Sequence, residues 1–441
     1  MVHLRHRATD VAPGSSGPAA VPDPGAPKPP KIKKTRQYGP RIERFRQQTL
    51  HYYNWVLIPR RMLPLLTLLF LICLPIGLAY LVTSRNTHDV RADYTQCATA
   101  APATRARPQP GQTTTPDTID SWAYNAATGQ CTLFINVPAM SAPVHWWIQF
   151  TNFYQNHRLF VGSVSYKQLR GDDVANAEAI GTIAVATPTC GWLQYANCND
   201  ASAKDQSRFN MDCLRPEAER DAVIRNAAPG AQYYPCGLIA NSFFTDEFTD
   251  LTCAAPLDPA APAGACTPAS TYAFSTDDIT WASAKDQFRP PGRWASESDA
   301  TIRTNLIPPP MWRAAWPERY GDGYNASTLT MMIGDPRFQN WMRPEGQPTF
   351  RKLWGKNASG ALAAGTYQMV VTSRYDVARF NGTKSIVFGE TTWYGQRNYT
   401  LSILYLIGAA AALLLALMMG IHMFCSKRKI GDPRFLSWNR Q

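Results

Sequence analysis

Hydrophobic and polar positions divide this chain into distinct stretches. Two segments, 62–82 and 401–424, contain no Lys, Arg, Asp or Glu. At about 1.5 Å per helical residue each reaches roughly 30 Å or more, enough to cross a hydrocarbon core. The pattern predicts two membrane-spanning helices. Between them, short apolar or alternating runs occur at 131–137, 144–150, 329–333, 366–373 and 384–392, separated by Pro, Gly and Asn. Such runs predict short antiparallel strands with long connections. Helices are predicted at 150–160 and 241–251, and an Ala/Pro-rich surface loop at 254–270. The expected fold is a two-helix membrane protein whose large exoplasmic domain is mainly antiparallel β, sandwich-like, with short helices and disulfide straps.

Charge sets the orientation. Residues 1–61 hold twelve Lys/Arg against Asp10, Asp23 and Glu43, and residues 425–441 hold five against Asp432. The whole chain is +12, so the intervening part is close to neutral. Cytoplasmic flanks favour Lys and Arg, which predicts both termini inside and residues 83–400 outside. The expected domains are a disordered, basic tail (1–61), a first span (62–82) acting as an uncleaved signal anchor, the exoplasmic domain (83–400), a second span (401–424) and a basic tail (425–441). Basic charge beside a membrane predicts anionic lipid, not nucleic acid, as its partner.

Cysteines follow the same division. Cys73 lies inside the first span and Cys425 at the inner edge of the second, whereas Cys97, Cys131, Cys190, Cys198, Cys213, Cys236, Cys253 and Cys266 all lie between the spans. An even number in an oxidising compartment predicts disulfides. Pairing in succession (97–131, 190–198, 213–236, 253–266) closes the shortest loops and is the working expectation. Four N-x-S/T acceptors, Asn325, Asn357, Asn381 and Asn398, also fall outside, with Asn398 almost at the membrane.

Enzyme signatures are missing: there is no GxSxG, HExxH, GxxxxGK[ST] or GxGxxG. His88, His145 and His157 are the only exoplasmic histidines, and no nucleophile is tied to them. Acidic pairs such as Asp277–Asp278 and Asp246–Glu247 are explained equally well by solvated loops. No catalytic residue, metal or cofactor is predicted. Apart from His422 at the inner edge, the spans hold no ionisable residue that would mark a transport route. The chain therefore reads as a partner-dependent subunit. On the second span Gly408, Ala412, Ala416 and Gly420 recur every four residues, a small-residue face suited to close helix packing. An undecapeptide at 333–343 recurs at 430–440 with eight of eleven positions identical.

Several ordered blocks resemble the accessory (beta) subunits of type-IV P-type ATPase phospholipid flippases, the ligand-effect-modulator family. They are LPIG at 74–77, DYTQC at 93–97, NFYQNHR at 152–158, QLRGD at 168–172, PCGLIANSFFTD at 235–246, ITWASAKDQFRPP at 279–291, NWMRPEGQPTFRKLW at 340–354 and AGTYQMVVTSRY at 364–375. The resemblance covers about 45–425 and departs from the family at the N-terminal tail, at 173–212 and at 254–270. It implies a non-catalytic subunit in a heterodimer with a catalytic ATPase, needed for that partner's folding, its exit from the endoplasmic reticulum towards Golgi and plasma membrane, and its cycle of moving phospholipid to the cytoplasmic leaflet. Cys213–Cys236 resembles a family pair. Block 235–246 reads as core-forming, with the Asn241 amide serving neighbouring backbone. Trp341, Arg343, Phe350 and Arg351 have interface-like composition and are expected partner contacts, with aromatic packing inside the domain as the alternative. The Gly408, Ala412, Ala416 and Gly420 face is expected to make the intramembrane contact, either with the partner or with the first span. A two-span ligand-gated channel subunit is the competing reading. It requires a polar face on the second span, which offers only Ser402, Tyr405 and His422.

Overall fold

The computed structural model describes residues 59–171, 190, 193, 196, 198, 211–260, 264–289 and 291–425. Both charged tails, the second copy of the undecapeptide and most of 173–212 lie outside these residues. The first apolar segment is one helix, α1 (Pro59–Asn86), and the described chain closes with a second long helix. Among the described residues, twelve strands lie between them. In chain order they are β1 (Asp89–Asp93), β2 (Ile119–Asn125), β3 (Gln130–Val137), β4 (Val144–Phe150), β5 (Gln232–Tyr233), β6 (Glu247–Phe248), β7 (Leu251–Ala254), β8 (Thr271–Tyr272), β9 (Leu306–Ile307), β10 (Phe350–Asn357), β11 (Gly365–Thr372) and β12 (Lys384–Glu390). The other helices include α2 (Leu238–Asn241), α3 (Pro336–Trp341) and the second long helix, α4 (Tyr399–Cys425).

Two antiparallel sheets carry the central domain. One has strand order β1-β12-β4-β10; the other runs β2-β3-β11-β7-β8, with β6 also on β11. A short parallel pair, β5–β9, stands apart. Register follows from which side chains must be dry, because a one-residue slip would reverse every face. Tyr367, Met369 and Val371 of β11 lie opposite Ile135, Leu133 and Cys131 of β3, all inward. In the other sheet Val144, Trp146, Ile148 and Phe150 point into the core, while Trp147 and Gln149 take the outer face. One core draws on both sheets, so the arrangement is sandwich-like, as expected.

Block 235–246 forms the centre of that core. Gly237 has φ +96° and ψ 169°, a region open essentially to glycine alone, and a Cβ there would meet the Ser163 carbonyl oxygen at 2.1 Å. The chain then turns through α2, whose carbonyls receive buried indoles. Trp312 Nε1 donates to Ala240 O at 2.8 Å, and Trp341 Nε1 to Ile239 O at 3.2 Å. Asn241 Oδ1 accepts from the Met311 amide at 3.0 Å, the backbone service expected of it. Phe243 and Phe244 extend the aromatic packing to Trp354. The block ends at Asp246, which accepts from the backbone N–H groups of Arg374 and Tyr375, from Tyr94 Oη and from Lys384 Nζ. Burial, reinforced by that carboxylate, pushes the Tyr94 phenol well above its ordinary pKa.

Four disulfides strap the domain: Cys97–Cys131, Cys190–Cys236, Cys198–Cys213 and Cys253–Cys266. The first joins the segment after β1 of one sheet to β3 of the other. The expected pairs 190–198 and 213–236 are corrected to a nested arrangement. All four of those cysteines share a small second core with Val223, Ile224 and Tyr233. Loop closure costs only about 0.6 kcal/mol for each doubling of loop length, so packing outweighs sequence proximity.

Three local expectations also change. The run at 329–333 belongs to a helix (Ala326–Met331), because Asn325 and Thr328 form a reciprocal capping box that starts it. The helix expected at 241–251 is instead the end of α2 followed by β6 and the start of β7. That expected at 150–160 is the end of β4, a turn and a four-residue helix at Arg158–Val161.

Candidate functional site

The expected partner contacts fall in different environments. Trp341, the last residue of α3, is fully buried against Phe150, and Phe350 is 6% exposed and packs on the same ring. Both belong to the core, which corrects their assignment as partner contacts: strand alternation and helix facing turn them inward. The alternation that buries Phe350 turns its neighbour Arg351 to the outer face of the first sheet.

There the Arg351 guanidinium donates to Gln149 Oε1 at 2.9 Å and Gln396 Oε1 at 3.3 Å, and lies 3.8 Å from Asp89. Asp89 in turn pairs with Arg397 at 3.1 Å. Partial burial lowers the Arg351 pKa; Asp89 opposes that shift and Arg91 adds to it. Arg91, Gln149, Arg351 and Arg397 thus form a polar, cation-rich face beside the start of α4. Sequence reading missed it as a unit because its members come from four separate segments. Arg343 is surface-placed elsewhere, with its guanidinium 3.7 Å from the centre of the Trp281 ring, and that indole is 66% exposed. Arg stacked on an exposed Trp is the residue chemistry of interface anchors.

The two long helices meet along a seam. Ser402, Ala409, Ala412 and Ala416 are buried on α4 at the three-and-four spacing of one helical face. Ser402 Oγ donates to the Gly77 carbonyl at 3.0 Å, and a Cβ on Gly77 would come 3.0 Å from Leu406. Tyr80 stacks on Tyr405 at 5.9 Å. The predicted small-residue face is therefore split. Ala412 and Ala416 lie on the seam side, whereas an added Cβ at Gly408 or Gly420 would meet nothing within 4 Å. Ser402 and Tyr405, two of the three polar residues available for a pore, are turned toward α1.

Above the seam the domain is fastened to the helices. Ser84 Oγ donates to the Asn398 carbonyl at 2.9 Å and therefore accepts from Tyr394 Oη, also at 2.9 Å. Trp393 stacks on Tyr80 at 5.6 Å. The Trp-Tyr pair just ahead of an apolar span was the signal in the sequence for this junction. The four predicted glycosylation sites are dispersed. Asn325 caps a helix, Asn357 ends β10, Asn381 is exposed with φ +50° beside a cavity of about 570 Å³, and Asn398 directly precedes α4. Among the described residues no group of three or more His, Cys, Asp or Glu side chains is placed to hold a metal.

Comparison with known proteins gives a consistent result. The chain is 28% identical over 419 residues to the phospholipid-transporting ATPase accessory subunit CDC50 of Chaetomium thermophilum, covering 90% of each chain. It is 28% identical over 425 residues to the phospholipid-transporting ATPase accessory subunit LEM3 of Saccharomyces cerevisiae, covering 93% of this chain and 89% of that one. It is 27% identical over 424 residues to cell cycle control protein 50A of Mus musculus, covering 94% of both. The family model for LEM3 (ligand-effect modulator 3) / CDC50 matches residues 80–429, from within α1 to beyond the end of α4 and so across both sheets. This chain belongs to the LEM3 (ligand-effect modulator 3) / CDC50 family.

Proposed function

We propose that this chain is the non-catalytic subunit of a phospholipid-transporting P-type ATPase, forming a heterodimer with the catalytic chain and supporting phospholipid movement to the cytoplasmic leaflet. The observation that carries the reading is its likeness, over 90% and 93% of its length, to two proteins named as accessory subunits of such ATPases. Two helices long and apolar enough to span a membrane accompany it. Their basic flanks support a two-pass arrangement with both termini cytoplasmic and the β-rich domain exoplasmic. In that arrangement Asn325, Asn357, Asn381 and Asn398 are glycan acceptors, and the protein passes from the endoplasmic reticulum to Golgi and plasma membrane with its partner. The polar face around Arg351, the Trp281–Arg343 stack and the Gly408/Gly420 side of α4 are the surfaces offered to the catalytic chain.

Purifying the tagged full chain from membranes in mild detergent tests this, with mass spectrometry of what accompanies it. A near-stoichiometric P-type ATPase is the expected result. A lone homotrimer would replace the subunit reading with that of a channel.

A further inference from the structure

Residues 392–395 form a tight hairpin. The Thr392 and Gly395 backbones exchange hydrogen bonds at 2.8 and 3.0 Å, which leaves Trp393 and Tyr394 at the tip. Water-exposed turns favour Gly, Asn, Asp and Ser at such positions. Two aromatics there, with Trp393 78% exposed, are out of place for a tip in water.

The height of the tip explains the choice. Trp393 stacks on Tyr80, which in turn stacks on Tyr405. Tyr80 is six residues before the end of α1 and Tyr405 six residues after the start of α4, so both lie about 9 Å inside their helices. Helices of 28 and 27 residues reach about 40 Å, leaving roughly 6 Å projecting beyond each side of a hydrocarbon core about 30 Å thick. The Trp393 ring therefore lies at the boundary between headgroups and acyl chains, where Trp and Tyr are enriched. Tyr394 holds the tip there through Ser84. Tyr394 and the Asn398 carbonyl both meet Ser84, and Trp393 reaches on to Tyr80, about one helical turn further into α1.

We propose that the 392–395 hairpin is a membrane anchor whose Trp393 inserts among phospholipids of the leaflet that the β-rich domain faces, so that the domain rests on the lipid surface through a point outside its two spans. This depends on α1 and α4 being membrane spans and is independent of the ATPase association.

The test uses the full chain in phospholipid nanodiscs. A Trp393→Cys variant in a Cys73→Ala, Cys425→Ala background is labelled with an environment-sensitive fluorophore. The expected result is stronger quenching by a spin label near the headgroup end of the acyl chain than by one near its tail, with a label at exposed position 359 unquenched. In parallel, the unaltered chain is photolysed with a diazirine phospholipid, and the tryptic peptide 385–397 should carry the adduct; this arm decides if the cysteine variant misfolds. Absence of both quenching and adduct overturns the proposal. Loss of the adduct on assembly with the catalytic chain, replaced by a protein cross-link, overturns it in favour of a protein contact. Persistence of the adduct in the complex supports it.

Discussion

The ammonium of Lys384 lies 2.7 Å from the carboxylate of Asp246, and both side chains are at most 2% exposed. Lys384 opens β12, and Asp246 closes the block at the centre of the core. Ser373 Oγ and the Tyr375 carbonyl take the remaining ammonium donors. A buried pair this fully hydrogen-bonded fixes geometry, and removing one member leaves an uncompensated charge that costs about 3–5 kcal/mol. Lys384→Met should lower the thermal midpoint of the purified chain by that equivalent and reduce its delivery beyond the endoplasmic reticulum. An unchanged midpoint would show that the pair contributes nothing to folding.

The nested disulfides give a direct prediction. A non-reducing digest should yield peptides linking Cys190 to Cys236 and Cys198 to Cys213, and none linking Cys213 to Cys236. Cys236→Ser should destabilise the second core by about 2–5 kcal/mol and expose a reactive thiol at Cys190, readable with a maleimide probe.

His145 should make the domain sensitive to acid. Partial burial holds its pKa below the usual imidazole value, with Lys356 acting in the same direction and a backbone hydrogen bond opposing. The folded state thus binds fewer protons than the unfolded state between the depressed pKa and the ordinary value of about 6.5. Stability contributed by the neutral ring is complete above that window and lost as pH falls through it. The thermal midpoint should drop as pH falls from neutral through and below the ordinary imidazole value of about 6.5, and His145→Gln should show a shallower drop. Parallel curves for the two proteins would assign the acid sensitivity elsewhere.

The two sides of α4 should respond differently. Gly77→Leu forces bulk against Leu406 and should cost about 1–3 kcal/mol by overpacking, seen as a lower midpoint for the chain alone. Gly408→Leu and Gly420→Leu meet no neighbour within 4 Å of the added Cβ. They should leave that midpoint unchanged and reduce the yield of co-purified ATPase. Full yield would remove this side of α4 from the interface.

The apolar segments, strands β3, β4, β11 and β12 and the core role of block 235–246 were legible in the sequence. Their patterns are local: length alone makes a span, and period-two alternation makes a half-buried strand. What required tertiary structure was every question of which distant groups meet. Cysteine partners depended on a second core assembled from dispersed segments. The inward turn of Trp341 and Phe350 depended on packing around Phe150, since composition marks an aromatic as valuable without saying which side of a surface it occupies. The face around Arg351 unites residues from four separate segments, and the position of Trp393 was set by Tyr80, more than three hundred residues earlier. Sequence determined which segments are apolar, alternating or cysteine-bearing, because those depend on neighbours along the chain. Structure decided partners and faces, because burial is a property of the assembled fold.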